Sequence, residues 1–173
     1  MTKFKILAAV AFLVGGMGSA LGASYWEDRF RYESDAADLY RPAEVSIDLF
    51  GSYTDHDVRS GAEDEAWGGG LGVNFFFSRM IGIGVDSHTD RWQFPQHANA
   101  SLIIRFPSSA GFAPYGFGGA GRDWDNGQWT AHAGGGLELR LNKYTGLFAD
   151  GRRVFPEDTP DYTFARAGIR LGF

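Results

Sequence analysis

From Glu44 onward, apolar and polar positions alternate with a period of two, the period of a strand whose two faces meet different surroundings. EVSIDLFGSY sets Val45, Ile47, Leu49, Gly51 and Tyr53 against Glu44, Ser46, Asp48 and Ser52. WGGGLGVNFFF sets Trp67, Leu71, Val73, Phe75 and Phe77 against Gly68, Gly70, Gly72, Asn74 and Phe76. MIGIGVDSHT gives Ile81, Ile83 and Val85 against Gly82, Gly84, Asp86 and His88. HANASLIIRF gives Ala98, Ala100, Leu102, Ile104 and Phe106 against His97, Asn99, Ser101, Ile103 and Arg105. PYGFGGAGR places Tyr115 and Phe117 opposite Gly116, Gly118, Ala120 and Arg122. WTAHAGGGLELRLN places Trp129, Ala131, Ala133, Leu137, Leu139 and Leu141 opposite Thr130, His132, Glu138 and Arg140. TGLFADGRRVF sets Leu147 and Ala149 against Phe148, Asp150 and Arg152. An eighth strand, closing on RAGIRLGF, sets Ala165, Ala167, Ile169, Leu171 and Phe173 against Phe164, Arg166, Gly168, Arg170 and Gly172.

The connections alternate in kind. Ser78-Arg79 and Asn142-Lys143-Tyr144 are tight, and PSSAGFA is somewhat longer. The other set (TDHDVRSGAEDEA, DRWQFPQ, DWDNGQ and PEDTPD) is polar and acidic. Eight antiparallel strands of this length, with tight turns at one end and longer loops at the other, match a transmembrane barrel.

Residues 1–23 stand apart. Lys3 and Lys5 precede the short apolar run Ile6 to Val14, and the small residues of GGMGSALGA follow. This reads as a secretory signal peptide cut between Ala20 and Ala23, since the run is too short to span a bilayer as a helix. Residues 24–43 lack alternation. Trp26, Phe30, Ala37 and Tyr40 fall at roughly helical spacing until Pro42, which predicts a short helix or an irregular periplasmic leader. Residues 44–173 form the barrel.

Composition narrows the reading. The chain has no cysteine, so neither a disulfide scaffold nor acylation on cysteine is open to it. Loss of the signal peptide removes two lysines and no acid, taking the formal net charge from −5 to −7. An acidic chain without a basic patch is a poor nucleic-acid binder. Lys143 is then the one lysine beside 13 arginines, a bias toward the cation that pairs with carboxylates in fixed geometry.

Alternation alone does not separate a soluble barrel from a membrane one, but the height of the aromatics does. Trp67, Trp92, Trp124 and Trp129 fall beside the acidic loops, while Phe75, Phe77, Phe106 and Phe173 collect at the other end. Two aromatic girdles suit the two interfaces of a bilayer. The predicted fold is therefore all-β: a transmembrane, eight-stranded, antiparallel up-and-down barrel with a polar lumen filled by side chains. Both ends of the mature chain are expected in the periplasm, since the strand number is even.

At its last strand the chain resembles the small eight-stranded outer-membrane barrels of the OmpA/OmpX type. Arg166, Gly168, Leu171 and Phe173 occupy the polar, glycine, hydrophobic and terminal aromatic positions of the assembly signal of such barrels. GLFADGRRVF also looks like their penultimate strand. The resemblance implies the outer membrane of a Gram-negative bacterium, and handling by periplasmic chaperones and the barrel-assembly machinery. It also implies outer-membrane lipid and lipopolysaccharide as surroundings, and a monomer.

Lumen charges must be paired or hydrated. The expected ion-pair network comprises Asp48, Asp86, Glu138 and Asp150 with Arg105, Arg122, Arg140, Arg152, Arg166 and Arg170. Closure of strand 1 on strand 8 places Glu44 and Asp48 near Arg170 and Arg166. A structural plug is the first reading of this network, and a narrow gated pore the alternative. His88, His97 and His132 point inward and are read as hydrogen-bonded lumen residues, not metal ligands; no metal or cofactor is expected. Asp86-Ser87-His88 makes no nucleophile–base pair because strand neighbours face opposite ways. His97 and Ser101 lie about 13 Å apart along one strand. A cross-strand pair is left open, and with it a lipid-modifying enzyme. GFGGAG (116–121) matches a dinucleotide fingerprint in spacing only, since no helix follows. The acidic loops (Asp55, Asp57, Glu63, Asp64, Glu65, Asp123, Asp125, Glu157, Asp158 and Asp161) are read as solvated, with cation bridging to lipopolysaccharide as the alternative. The expected function is a non-catalytic barrel with a structural or surface-interaction role through these loops.

Overall fold

A computed structural model describes residues 39–56, 65–90, 96–124 and 127–173. The expected signal peptide, most of the leader with Trp26, Phe30 and Ala37, and Trp92 lie outside them, as do Asp57, Glu63, Asp64 and Asp125 of the loops. The strands are β1 (Glu44–His56), β2 (Glu65–Phe76), β3 (Ile81–Asp90), β4 (His97–Arg105), β5 (Phe112–Asp123), β6 (Gln128–Arg140), β7 (Thr145–Pro156) and β8 (Tyr162–Gly172). Each pairs antiparallel with its sequence neighbours, and β1 pairs with β8 to close the barrel.

The wall is inside out relative to a soluble barrel. Along β1, Glu44, Ser46, Asp48, Phe50, Ser52 and Thr54 are buried in the lumen, while Val45, Ile47 and Leu49 stand on the exterior, Leu49 60% exposed. Leu71, Val73, Val85, Leu137, Leu139, Leu147, Ile169 and Leu171 continue the exposed apolar band around the barrel. Water would not tolerate such a contiguous surface; lipid does. At the end bearing the long connections (the loop end), Trp67, Trp124 and Trp129 project outward. At the end bearing the tight turns (the turn end), Phe75, Phe77, Phe106, Phe112, Tyr144 and Phe173 do so.

The turns are set by small polar residues. Ser78 Oγ accepts from the amides of Met80 and Ile81 between β2 and β3. Asn142 Oδ1 accepts from Tyr144 and Thr145 between β6 and β7, the side-chain-to-backbone turn asparagine favours.

Inside, aromatic rings alternate with glycines. Phe50 is register partner to Gly70 on β2 and Gly168 on β8. A Cβ at Gly70 would lie 2.3 Å from Ser87 O and 2.6 Å from the Phe50 ring, and one at Gly168 2.1 Å from Leu49 O. The ring occupies the space two missing side chains leave. Phe50, Phe148, Val154, Tyr162 and Phe164 form one apolar cluster; Phe76, Ile103, Tyr115 and Phe117 form another.

The phase of β5 differs from the sequence expectation. Tyr115 and Phe117 face the lumen, whereas Phe112, Pro114, Ala120 and Arg122 lie on the outer side. Most of this strand has no polar side chain to mark a face, so the pairing with β6 fixes its phase. The lumen side then receives the two rings that fill it.

Candidate functional site

The lumen holds two charge layers. In the turn-end layer Glu44 and Asp48 on β1 and Glu138 on β6 meet Arg105 on β4, Arg140 on β6 and Arg170 on β8. Register places Asp48 opposite Arg170, and Arg170 donates Nε to Asp48 Oδ1 and Nη2 to Oδ2, both at 2.7 Å. Its Nη1 donates to Glu138 Oε2 at 2.6 Å. Arg140 spans Glu138 and Glu44 through Nε and Nη2. Arg105, with no solvent exposure, donates to both oxygens of Glu44 at 3.4 Å and to Arg79 O at 2.8 Å. Asn74 donates to Asp48 Oδ2 at 3.0 Å. Three carboxylates meet three guanidiniums.

Tyr40 lids this layer. Its ring is fully buried, with the guanidinium carbons of Arg105 and Arg140 4.9 and 5.2 Å from the centroid. Its hydroxyl donates to Gly111 O at 2.8 Å. Burial, with Glu138 adding to it, raises the phenol pKa, so the hydroxyl stays a donor. Gly111, at φ +76°, leaves room for Leu39: a Cβ there would lie 3.2 Å from Leu39 Cδ1. Ala43, at φ 55°, then turns the chain from the mouth into β1.

In the loop-end layer Asp86 and Asp150 meet Arg152 and Arg166. Arg152 donates to both oxygens of Asp86 at 3.0 and 3.1 Å. Arg166 Nε donates to Asp150 Oδ1 at 2.8 Å, and its Nη1 lies 3.7 Å from Asp86 Oδ2. Tyr115 donates to Asp150 Oδ2 at 2.5 Å, and Asn99 to Asp86 Oδ1 at 3.2 Å. Two carboxylates meet two guanidiniums. A cavity of about 10 Å³, room for one water, touches both layers and is lined by Asn74, Asp86, Ser101, Tyr115, Arg166 and Arg170 among others.

Arg122, expected in this network, is not in the lumen. It stands on the outer wall beside its register partner Trp129, because the phase of β5 turns it away. Glu44, expected near Arg170 and Arg166, is held instead by Arg105 and Arg140. Its length lets it reach past the adjacent strand.

The histidines lie in the upper lumen. His88 stacks on His97 at 4.7 Å between centroids, with Nδ1 3.6 Å from Asp86 Oδ1. His132 Nε2 lies 2.8 Å from Ser101 Oγ. These two residues sit on β6 and β4, both in register with Gly119 on β5, which has no side chain to separate them. The distance suits a nucleophile and its base. Yet His132 Nδ1 has no hydrogen-bond partner among the described residues, none of which orients the ring as a third group, and the barrel wall separates the buried pair from lipid. No three ligating side chains converge as a metal site among the described residues.

The four residues of the expected assembly signal divide by face. Arg166 and Gly168 point inward, while Leu171 and Phe173 are exposed on the outer wall. Among residues of the acidic loops, Glu157, Asp158 and Asp161 are exposed beyond β7.

No protein-family model matches the sequence, and no curated protein does. Solved structures do. The chain is similar to the N-terminal β-barrel domain of Pseudomonas aeruginosa OprF, at 15% identity over 76% of this chain and 98% of that one, with TM-score 0.58. It is equally similar to a de novo designed transmembrane β-barrel, at 14% identity over 77% and 98%, with TM-score 0.58. Ail, the attachment invasion locus protein of Yersinia pestis, matches at 16% identity over 76% and 99%, with TM-score 0.54. A designed barrel matching as well as natural ones means that the likeness speaks for architecture alone. The fold is that of the small eight-stranded outer-membrane barrels of the OmpA/OmpX type.

Proposed function

We propose that the protein is a non-catalytic barrel of a Gram-negative outer membrane, closed to ions, with a structural or surface-interaction role exercised from the outside of its wall. The observation that carries this is the charge balance of the lumen. Each of its two layers is neutral, and each guanidinium contacts at least one carboxylate. An ion in transit would have to displace buried, bidentate guanidinium–carboxylate pairs. The Tyr40 lid adds a second closure at the turn end.

What remains for function is the exterior. The loop-end carboxylates, among them Asp55, Glu157, Asp158 and Asp161, form an acidic fringe suited to contacts with outer-membrane lipid and lipopolysaccharide, directly or through divalent cations. Leu171 and Phe173 lie where an assembly machine docking on the outer wall could read them, and the barrel is proposed to work as a monomer. The Ser101–His132 pair serves as a lumen hydrogen bond in this reading.

Single-channel conductance of the refolded protein in a planar bilayer tests the proposal, after heat-modifiable gel mobility has verified barrel formation. The expected result is a silent, correctly folded barrel. Discrete openings altered by Glu138→Ala would replace it with a pore.

A further inference from the structure

Arg122 is the residue the lumen does not explain. It lies on the outer wall of β5 in the row of the tryptophan girdle, where its guanidinium carbon is 5.1 Å from the Trp129 ring centroid and 5.9 Å from that of Trp124. Both rings are exposed, at 55% and 61%. Asp123, next along the strand, takes the opposite face by alternation. Among the described residues no carboxylate pairs with Arg122 and no acceptor takes its hydrogen bonds, whereas each of the five lumen arginines is held by a carboxylate.

The stacking has a chemical consequence. A guanidinium over an aromatic ring uses its face and leaves its five edge N–H groups pointing away. Two rings hold that edge at the level where tryptophans mark the boundary between hydrocarbon and headgroups. A cation deeper on the lipid face would destabilise the barrel, and that cost nearly vanishes at the interface. Arg122 is thus placed where a lipid-facing cation is tolerated, flanked by two rings and with no carboxylate on it among the described residues. The acceptor that matches a planar pair of donors at this height is a phosphate oxygen pair.

We infer that Arg122, Trp124 and Trp129 form a binding site for the phosphate of an anionic membrane lipid on the outer wall at the loop end. The guanidinium takes two phosphate oxygens, and the two indoles flank the headgroup and the upper part of the acyl chains. The inference rests on the reading of the loop end as lying in a bilayer interface. It does not depend on whether the lumen conducts.

The test uses the refolded protein in phosphatidylcholine vesicles holding a minority of phosphatidic acid, with bromine placed on the acyl chains of one lipid or the other. Bromine quenches tryptophan fluorescence at contact, so the quenching ratio reports which lipid sits beside the rings. Brominated phosphatidic acid is expected to be enriched about fivefold at the tryptophans over its bulk fraction, the effect of one interfacial arginine. Arg122→Gln should return the ratio to the bulk value, and Arg122→Lys should keep part of the enrichment. Neither variant touches the lumen, and unchanged heat-modifiable mobility will show the barrel formed. Quenching at the bulk ratio in the native sequence overturns the site, and enrichment that survives in Arg122→Gln overturns the assignment to this residue. Enrichment abolished by millimolar inorganic phosphate would make the site one for free phosphate and overturn the lipid. A conducting barrel that still enriches phosphatidic acid would sink the closed-lumen proposal and leave this one standing.

Discussion

Removal of Glu138 tests whether charge balance, not the number of contacts, holds the turn-end layer. Glu138 accepts from Arg170 at 2.6 Å and from Arg140, and lies 3.8 Å from Arg105. Glu138→Gln keeps the shape and leaves three guanidiniums facing two carboxylates in the buried layer. Breaking a buried pair by removing one partner costs about 3–5 kcal/mol. Arg140→Met should cost a similar amount, since it strands the excess charge on Glu44 and Glu138. The double variant restores neutrality, with Asp48 still on Arg170 and Glu44 still on Arg105. It should therefore be no less stable than the weaker single variant, giving a coupling of at least about 3 kcal/mol. Urea unfolding in lipid vesicles, followed by tryptophan fluorescence and heat-modifiable mobility, measures all four corners of the cycle. Losses that add to within about 0.5 kcal/mol would refute the reasoning, because independent sites behave that way.

Two further outcomes follow from the same geometry. Tyr40→Phe deletes the hydrogen bond to Gly111 O and should cost about 1 kcal/mol, whereas Tyr40→Ala also empties the mouth between Arg105 and Arg140 and should cost about 3–5 kcal/mol; equal effects in urea unfolding would mean the ring is not a lid. Gly119→Ala sets a Cβ 1.9 Å from Ala100 O and should sharply reduce the yield of folded barrel, while Gly116→Ala, whose Cβ meets nothing nearer than 3.8 Å, should refold like the native sequence. Similar refolding yields from the two would contradict the assigned phase of β5.

Where a strand carries charge along its length, sequence fixes its orientation. Glu44 and Asp48 on β1, and Arg166 and Arg170 on β8, stand four residues apart, so alternation puts each pair on one face and the membrane reading turns that face inward. The pairing of Asp48 with Arg170 was legible because closure makes the two strands neighbours. On β5 the run from Tyr115 to Gly121 offers only rings and small residues, and a single arginine at its end pointed the wrong way. Contacts across a strand were invisible for a different reason. Ser101 meets His132 only because Gly119 separates them, and a glycine run by itself does not say which side chains meet across it. The spacing of Tyr40 puts it on a helical stripe of the leader; its seat depends on an inward turn at Ala43 that no local pattern encodes.

Several of the lumen pairs join strands that are not neighbours. Arg105 on β4 and Arg140 on β6 both reach Glu44 on β1, and Arg152 on β7 reaches Asp86 on β3. None of these can form in an open sheet. A half-inserted barrel would hold these charges unpaired at membrane depth, each costing about 2.5–3.5 kcal/mol on insertion scales. Partial structures are therefore poor resting places, and insertion must be tied in time to closure of β1 on β8. The same coupling acts in reverse. β1, β3, β4, β6, β7 and β8 all carry members of these pairs, and none of the six can peel away without stranding charge elsewhere in the lumen, so the barrel's persistence in the membrane is governed by the rate of one concerted opening.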